Sequence, residues 1–479
     1  MAVASIAIGL LLLVLAWRAG RTASTTEDFF LAGRNVQAGL VALSQVSNAL
    51  PLWLLLGVGG AAFAWGFAAV WILFTAIVGY VFGWYFVAPR VRAWSLAQDH
   101  LTLPQLLTGD TGKRMRTPIV VSTTLILFMA LLVGMAAYLP LLGRLVSQVL
   151  PVSMRGGMLL GITAATLCAL LGGYKGAVIN DGVRAVVVML VAITVAAMAL
   201  IAVGGWAPVW TQLTNVPVDV GLWTGKQAAI LALTFALGTL MLGLVPFGQP
   251  QVVSQFMASA DPQQLLVARR TALVWVLLVL MAMLVCGWAA RLLLPDTTGL
   301  EVVFTGLLQR VLPAGLAAVF LAALLVFAAT ALDSLLLVMA AAVSVDVYAD
   351  RARGSLDWPK PAVVLAGALS VGVALAVPAP SFERLVLAWT LLGSAFGPLL
   401  LVRLTGKRIR PGSTLGSMWA GFILTLLLHL LPNAPGDFLE RALPFVAALG
   451  IALTGGERRR DPDRADRSQQ PVTPTPEQQ

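Results

Sequence analysis

The segment Ser47–Gly60, SNALPLWLLLGVGG, sets a serine, an asparagine and a proline inside a run otherwise apolar enough for a membrane helix. Pro51 lacks an N–H and its ring collides with the carbonyl one turn back, so it breaks or kinks a helix and frees backbone carbonyls. A second interruption of this kind, LGLVPFGQP at residues 242–250, carries Pro246 and Pro250. Paired interruptions in two halves of a membrane protein point to a transporter with inverted repeats and a site at the breaks. Two proline kinks tolerated by packing are the other reading the residues leave open.

The rest of the chain agrees with a membrane setting. Of 479 residues, 59% are hydrophobic and 11% charged, and apolar runs of spanning length recur from end to end. One integral domain over residues 1–456 follows, because no stretch outside the apolar runs is long enough to bury a soluble core. The net charge of +10 sits in clusters between apolar runs, as in GKRIR and GERRRD, which is the pattern of cytoplasmic loops and not of a nucleic-acid surface. Cys168 and Cys286 lie within apolar segments and read as small hydrophobes. No positively charged stretch precedes the first apolar run, which is read as a retained span and not a signal peptide.

Runs of suitable length predict thirteen spans, near 2–17, 36–57, 62–88, 118–142, 157–174, 183–203, 228–247, 272–292, 312–343, 363–378, 385–402, 413–431 and 442–454. An odd number puts the termini on opposite sides. Loops on the side of the C-terminus hold 24 Lys and Arg against 7 on the other, which predicts a cytoplasmic C-terminus and an outside N-terminus. Residues 457–479 are charged, proline-containing and almost without apolar side chains, and are expected to be a disordered cytoplasmic tail.

Ionisable residues in membrane segments are expensive and mark function. Asp333 lies deep in the long span at 312–343, with Thr330 and Ser334 on the same helical face, so hydroxyl and carboxyl oxygens suited to a hard cation come together there. Hydrogen bonding of Asp333 within the bundle, and of Thr330 to its own helix, is the equally open structural reading. Asp181, taken by itself, reads as a boundary residue paired with Lys175 or Arg184.

Five stretches, in order along the chain, resemble the sodium:solute symporter family: EDFFLAGRN from Glu27, TLPQLL from Thr102, GGYKGAVINDGVRAVVV from Gly172, FGQPQVVSQFMASADPQQLLVARRTALVW from Phe247, and ATALDSLLLVMAAAVSVDVY from Ala329. The FGQP stretch is most similar to the sodium/proline symporter branch. The resemblance implies an all-α fold with a LeuT-like core of five plus five inverted helices, repeats at about 36–203 and 228–402, one span before and two after. It also implies sodium-driven uptake of a small organic solute, such as an amino acid or carboxylate, through a cell membrane by alternating access.

Carried over residue by residue, the resemblance puts sodium against the carbonyls of Ser47, Leu50 and Phe327 and the hydroxyl of Thr330. The second hydroxyl position is Ala331, and Ala49 stands where the proline transporters carry an acidic residue, so this chain departs from the pattern twice. Asp333, one turn away, is the candidate replacement ligand, and a proton is the alternative coupling ion. Asp181 matches an aspartate on the path by which sodium leaves. The candidate solute site comprises Gln45, Asn48, Pro51, Trp53, Leu242, Pro246 and Gln249, of which Trp53 matches the proline transporters while Leu242 and Pro246 replace aromatic residues. No Lys or Arg is expected at the midplane. Nothing resembles a catalytic triad, a phosphate loop or a His and Cys metal cluster, so neither an enzyme nor an organic cofactor is expected. The rival from another class is a membrane sensor that keeps the fold without transport.

Overall fold

The structure is a computed structural model and describes residues 1–49, 57–109, 111–215, 237–238, 240–241, 243–258, 265–297, 299, 302–347, 357–376, 382–431 and 438–458. The chain starts with α1 (Ala2–Gly20), a short α2 (Thr26–Leu31) and α3 (Ala38–Ala49). A long helical run, α4 (Gly59–Ala97), leads to the short α5 (Leu103–Thr108), then α6 (Lys113–Val149), α7 (Met154–Ala202) and α8 (Trp206–Thr214). The second half holds α9 (Pro250–Ala258), α10 (Leu265–Leu293), α11 (Val303–Val311), α12 (Ala314–Thr330) and α13 (Leu332–Ala341). It ends with α14 (Pro359–Ala376), α15 (Phe382–Leu404), α16 (Pro411–His429) and α17 (Phe438–Thr454).

Helices are what an apolar surrounding dictates, since a membrane offers no water to backbone groups and a helix satisfies them internally. Among the described residues, nine helices are long and apolar enough to cross a membrane. They carry ten of the thirteen expected spans, because α7 holds two. At 1.5 Å per residue an unbroken helix of this length would reach about 74 Å, more than twice a hydrocarbon core. It is divided at Gly173, whose φ of 52° and ψ of −156° are not helical. A β-carbon there would lie 2.9 Å from the Phe29 carbonyl oxygen, so α2 packs directly on the break.

The bundle is centred on α15, where 89% of the spanning window is buried, against 22% in α1 at the periphery. Large apolar side chains such as Val3, Leu190 and Leu375 are exposed, as a lipid-facing surface requires. Two polar clamps tie the connecting segments to the bundle. Arg34 donates to Glu27 (2.8 Å), to the Ser95 hydroxyl (2.7 Å) and to the His100 carbonyl (2.9 Å). Thr102 caps α5 and donates to Asp346 at 2.6 Å.

The expected break at 242–250 is present in the described part: Val245–Gly248 forms a single 3-10 turn, Gln249 is extended, and Pro250 opens α9. The other expected break, at Pro51, lies outside the described residues together with Leu50 and Trp53, as do Leu242 and positions 459–479 of the expected tail. The tail's first two residues, Glu457 and Arg458, belong to a strand, Gly456–Arg458, antiparallel to Lys407–Ile409.

Candidate functional site

Buried polar side chains gather where α3, α7, α9, α12 and α13 meet. At the centre is Arg184 on α7, 2% exposed. Its Nη2 donates to Asp181 Oδ1 at 2.5 Å and to Asn48 Oδ1 at 3.1 Å, its Nε donates to the Ser47 hydroxyl at 2.5 Å, and its Nη1 reaches the Phe327 carbonyl at 3.4 Å. Arg184 and Asp181 are three residues apart on one helix and so share a face. Asp181, fully buried, also accepts from the Ser44 hydroxyl at 2.6 Å and from the Asn48 amide. Gln255 on α9 donates to Ser44 at 3.1 Å, and Asn48 donates to Ser334 on α13 at 3.2 Å. A buried ion pair is tolerable only when its remaining hydrogen-bonding capacity is met, and α3 supplies most of that here.

The span at 312–343 continues through Ala331, where a local turn with right-handed helical dihedrals (φ −61°, ψ −19°) joins α12 to α13. Near this turn the Ala328 carbonyl accepts from the Tyr138 hydroxyl of α6 at 2.7 Å. Thr330 donates back to Val326 (3.1 Å) and sits 3.5 Å from the Phe327 carbonyl, which is the local bonding typical of a helical threonine. Asp333 is fully buried; its Oδ1 accepts from Ser334 at 3.2 Å and its Oδ2 has no partner among the described residues.

Of the residues expected to hold a cation, Ser47, Phe327, Thr330 and Asp333 are buried in this region, and Leu50 lies outside the described residues. Of the described oxygens assigned to the cation, the Phe327 carbonyl faces the guanidinium of Arg184 and Thr330 bonds its own helix; Ser47 presents its hydroxyl, not its assigned carbonyl, to the same guanidinium, and Ala331 has no oxygen on its side chain. A second unit cation about 4 Å from the guanidinium would be repelled by about 4 kcal/mol at an effective dielectric constant of about 20.

Of the solute candidates, Gln45 and Gln249 are buried, Asn48 and Pro246 partly so. Gln249 accepts from the Gln251 amide at 3.0 Å. The carbonyl oxygens of Gln45, Gln251 and Gln255 are buried without a partner among the described residues. A small cavity of about 40 Å³ runs beside Asn48, Gln251, Ser254, Gln255, Ser334 and Tyr174. It has room for a few waters and not for an organic solute.

No Lys or Arg is expected at the midplane from the sequence; the structure buries Arg184 among these helices. Sequence reading also passed over Ser44, Tyr138 and Gln255. The available signal was Arg184 itself, an ionisable residue three positions from Asp181 inside the apolar run VRAVVVML.

A mostly helical membrane protein with an interrupted helix beside a buried polar cluster has an architecture that secondary transporters use. The profile of the sodium:solute symporter family matches residues 29–423. The osmoregulated proline transporter of Bacillus subtilis is 27% identical over 435 residues, 87% of this chain and 86% of that one. The sodium/proline symporter of Salmonella typhimurium is 26% identical over 476 residues, 94% and 93% of the two chains. In structure, a Na+-coupled sialic acid symporter in a substrate-bound outward-open state superposes with a TM-score of 0.77 at 15% identity, covering 96% of this chain and 99% of the other. MhsT in complex with L-phenylalanine gives 0.52 at 15% identity, covering 88% and 98%. The chain therefore belongs to the sodium:solute symporter family, and it is a sodium-coupled secondary transporter with a LeuT-like fold.

Proposed function

We propose that this transporter carries a small organic solute bearing hydrogen-bond donors, of the size and kind of an amino acid, inward across a cell membrane. The observation that carries the reading is the set of buried acceptors without partners among the described residues, Gln45 on α3 and Gln251 and Gln255 on α9. Such acceptors are expensive to bury unmet and suit an ammonium or hydroxyl group arriving from outside the chain. Gln249, Asn48 and Pro246 stand with them as candidate solute contacts, together with Pro51, Trp53 and Leu242. The proline named for several relatives is the first solute to test.

The cavity beside Asn48 and Ser334 is too small for such a solute, so passage requires the repeats at 36–203 and 228–402 to move apart. Solute shifts that equilibrium only through unequal affinity for the two arrangements. The cavity borders Leu101–Leu103, in a loop that the distribution of Lys and Arg assigns to the cytoplasm, and supports release on that side. Asp181 has its place in the same passage through Asn48, and the C-terminus is cytoplasmic in this scheme.

The test is uptake into proteoliposomes of labelled proline and a panel of other amino acids under an inward sodium gradient. Accumulation that unlabelled solute competes away and that collapses when potassium replaces sodium is expected. Uptake that follows a pH gradient and ignores sodium would assign coupling to a proton, and saturable binding with no uptake would make the chain a sensor.

A further inference from the structure

We propose that Arg184 is a tethered cation occupying the place between the first and eighth core helices that the family resemblance gives to sodium, so that sodium does not bind at that place. The inference rests on the reading of the chain as a transporter but is tested separately from it.

Three observations carry it. First, the guanidinium contacts both walls of that place, through Ser47 and Asn48 on α3 and through the Phe327 carbonyl on α12. These are oxygens, arranged around a positive charge, from the two helices that must be held together there. Second, the oxygens missing from a sodium site are missing on this side: Ala331 carries none, and Thr330 turns its hydroxyl into its own helix. A hard cation needs about five or six oxygen ligands, whereas a guanidinium forms directed hydrogen bonds and needs fewer. Third, Arg184 is 2% exposed and held to Asp181 of the same helix, so its charge cannot drift to solvent while the bundle is closed. A fixed cation re-forms the electrostatic bridge between α3 and α12 each time the helices close, without binding or release of an ion at that point.

The roles of Asp181 change accordingly. It is a positioning residue that holds the guanidinium toward α3, together with Ser44 and Asn48.

The test uses purified full-length protein and thermal unfolding in sodium, potassium and choline chloride at equal ionic strength. Whatever response wild type gives to sodium is expected to survive Thr330→Ala and Ser47→Ala unchanged. Arg184→Gln, which leaves Asp181 without its counter-charge, is expected to acquire a sodium-specific rise in midpoint beyond any that wild type gives, and Ser47→Ala in that background is expected to remove the added part. Arg184→Ala is expected to unfold at lower temperature and to be restored by millimolar guanidinium chloride, far below denaturing concentrations, while wild type is unaffected.

A sodium-specific rise in wild type that disappears in Thr330→Ala or Ser47→Ala would overturn the proposal, because sodium would then sit where the guanidinium is placed. So would Arg184→Gln or Arg184→Ala variants that fold but answer neither to sodium nor to guanidinium. Should those variants fail to fold, the comparison of wild type with Thr330→Ala still decides. Absence of uptake for every solute would remove the transport reading and leave these midpoints to stand by themselves.

Discussion

Replacing Asp181 by asparagine keeps the shape of the side chain and removes its charge. The structure sets the size of the effect. Arg184 and Asp181 are 2% and 0% exposed and 2.5 Å apart, so Asp181→Asn leaves a buried guanidinium with no adjoining anion. Breaking a buried pair from one side costs about 3–5 kcal/mol, a large part of the 5–15 kcal/mol that holds a typical domain. Arg184→Gln strands the carboxylate and should cost a similar amount. The double variant leaves two neutral amides that can bond each other, Ser44 and Ser47, so it should be more stable than either single variant. The expected coupling in a double-mutant cycle is therefore about 3 kcal/mol or more. Arg410 and Glu457, 3.7 Å apart and 60% and 66% exposed, supply the contrast, with an expected coupling of about 0–1 kcal/mol. Unfolding of the purified protein followed by fluorescence of its 14 tryptophans measures both cycles. If the Asp181 and Arg184 costs simply add in the double variant, the pair is not the electrostatic unit described here.

Tyr138→Phe should lower stability by about 1–3 kcal/mol in the same assay, because the Ala328 carbonyl beside the turn at Ala331 loses its 2.7 Å donor in a buried setting. Gly173→Ala should cost roughly 1–2 kcal/mol for the left-handed backbone alone, and more for the approach to Phe29, whereas Gly9→Ala, with nothing within 4 Å of the added carbon, should be nearly neutral. Asp28 caps α2: burial raises its carboxyl pKa, but hydrogen bonds from Thr25 and Ser24 outweigh it and hold the group below its ordinary value. Its contribution is then full above an ordinary aspartate pKa of about 3.9 and is lost as pH falls through the lower folded value, so the difference in midpoint between wild type and Asp28→Asn should be present at neutral pH and vanish in acid.

The sequence made the fold legible because its strongest signals were local. Apolar runs of spanning length, Pro246 and Pro250 at the second break, and the motif around Glu27 are each visible without knowing what packs against what. The division of α7 was also legible as two separate runs, although the cause, Phe29 against Gly173, is a contact between distant segments. The site was harder to read. Ser47, Asn48 and Asp333 stand out as polar residues in apolar runs, whereas Asp181 becomes a candidate only through the family resemblance. Arg184 met the same criterion, yet next to Asp181 it looked like half of a boundary pair, and nothing within the sequence says that the pair faces α3. The bond from Gln255 to Ser44, 211 positions apart, depends on the topology alone.

That topology separates the bonds of Arg184 into two kinds. The pair with Asp181 lies within one turn of α7, so it survives any movement that carries α7 as a rigid body. The bonds to Ser47, Asn48 and Phe327 cross to other helices and must break if those helices part. Hydrogen bonds to a charged group are worth about 1.5–3 kcal/mol each, so losing these three without replacement would oppose opening by roughly 5–9 kcal/mol. A carrier that cycles needs a smaller difference between its states, since a ligand moves an equilibrium only by its differential affinity. Water entering from the cavity beside Asn48 and Ser334 is the available replacement, and it reaches Asn48 first. On this scheme the polar lining of that cavity, Gln251, Ser254 and Gln255, would let water take over the outer bonds of Arg184 as α3 moves, while the inner pair with Asp181 stays intact.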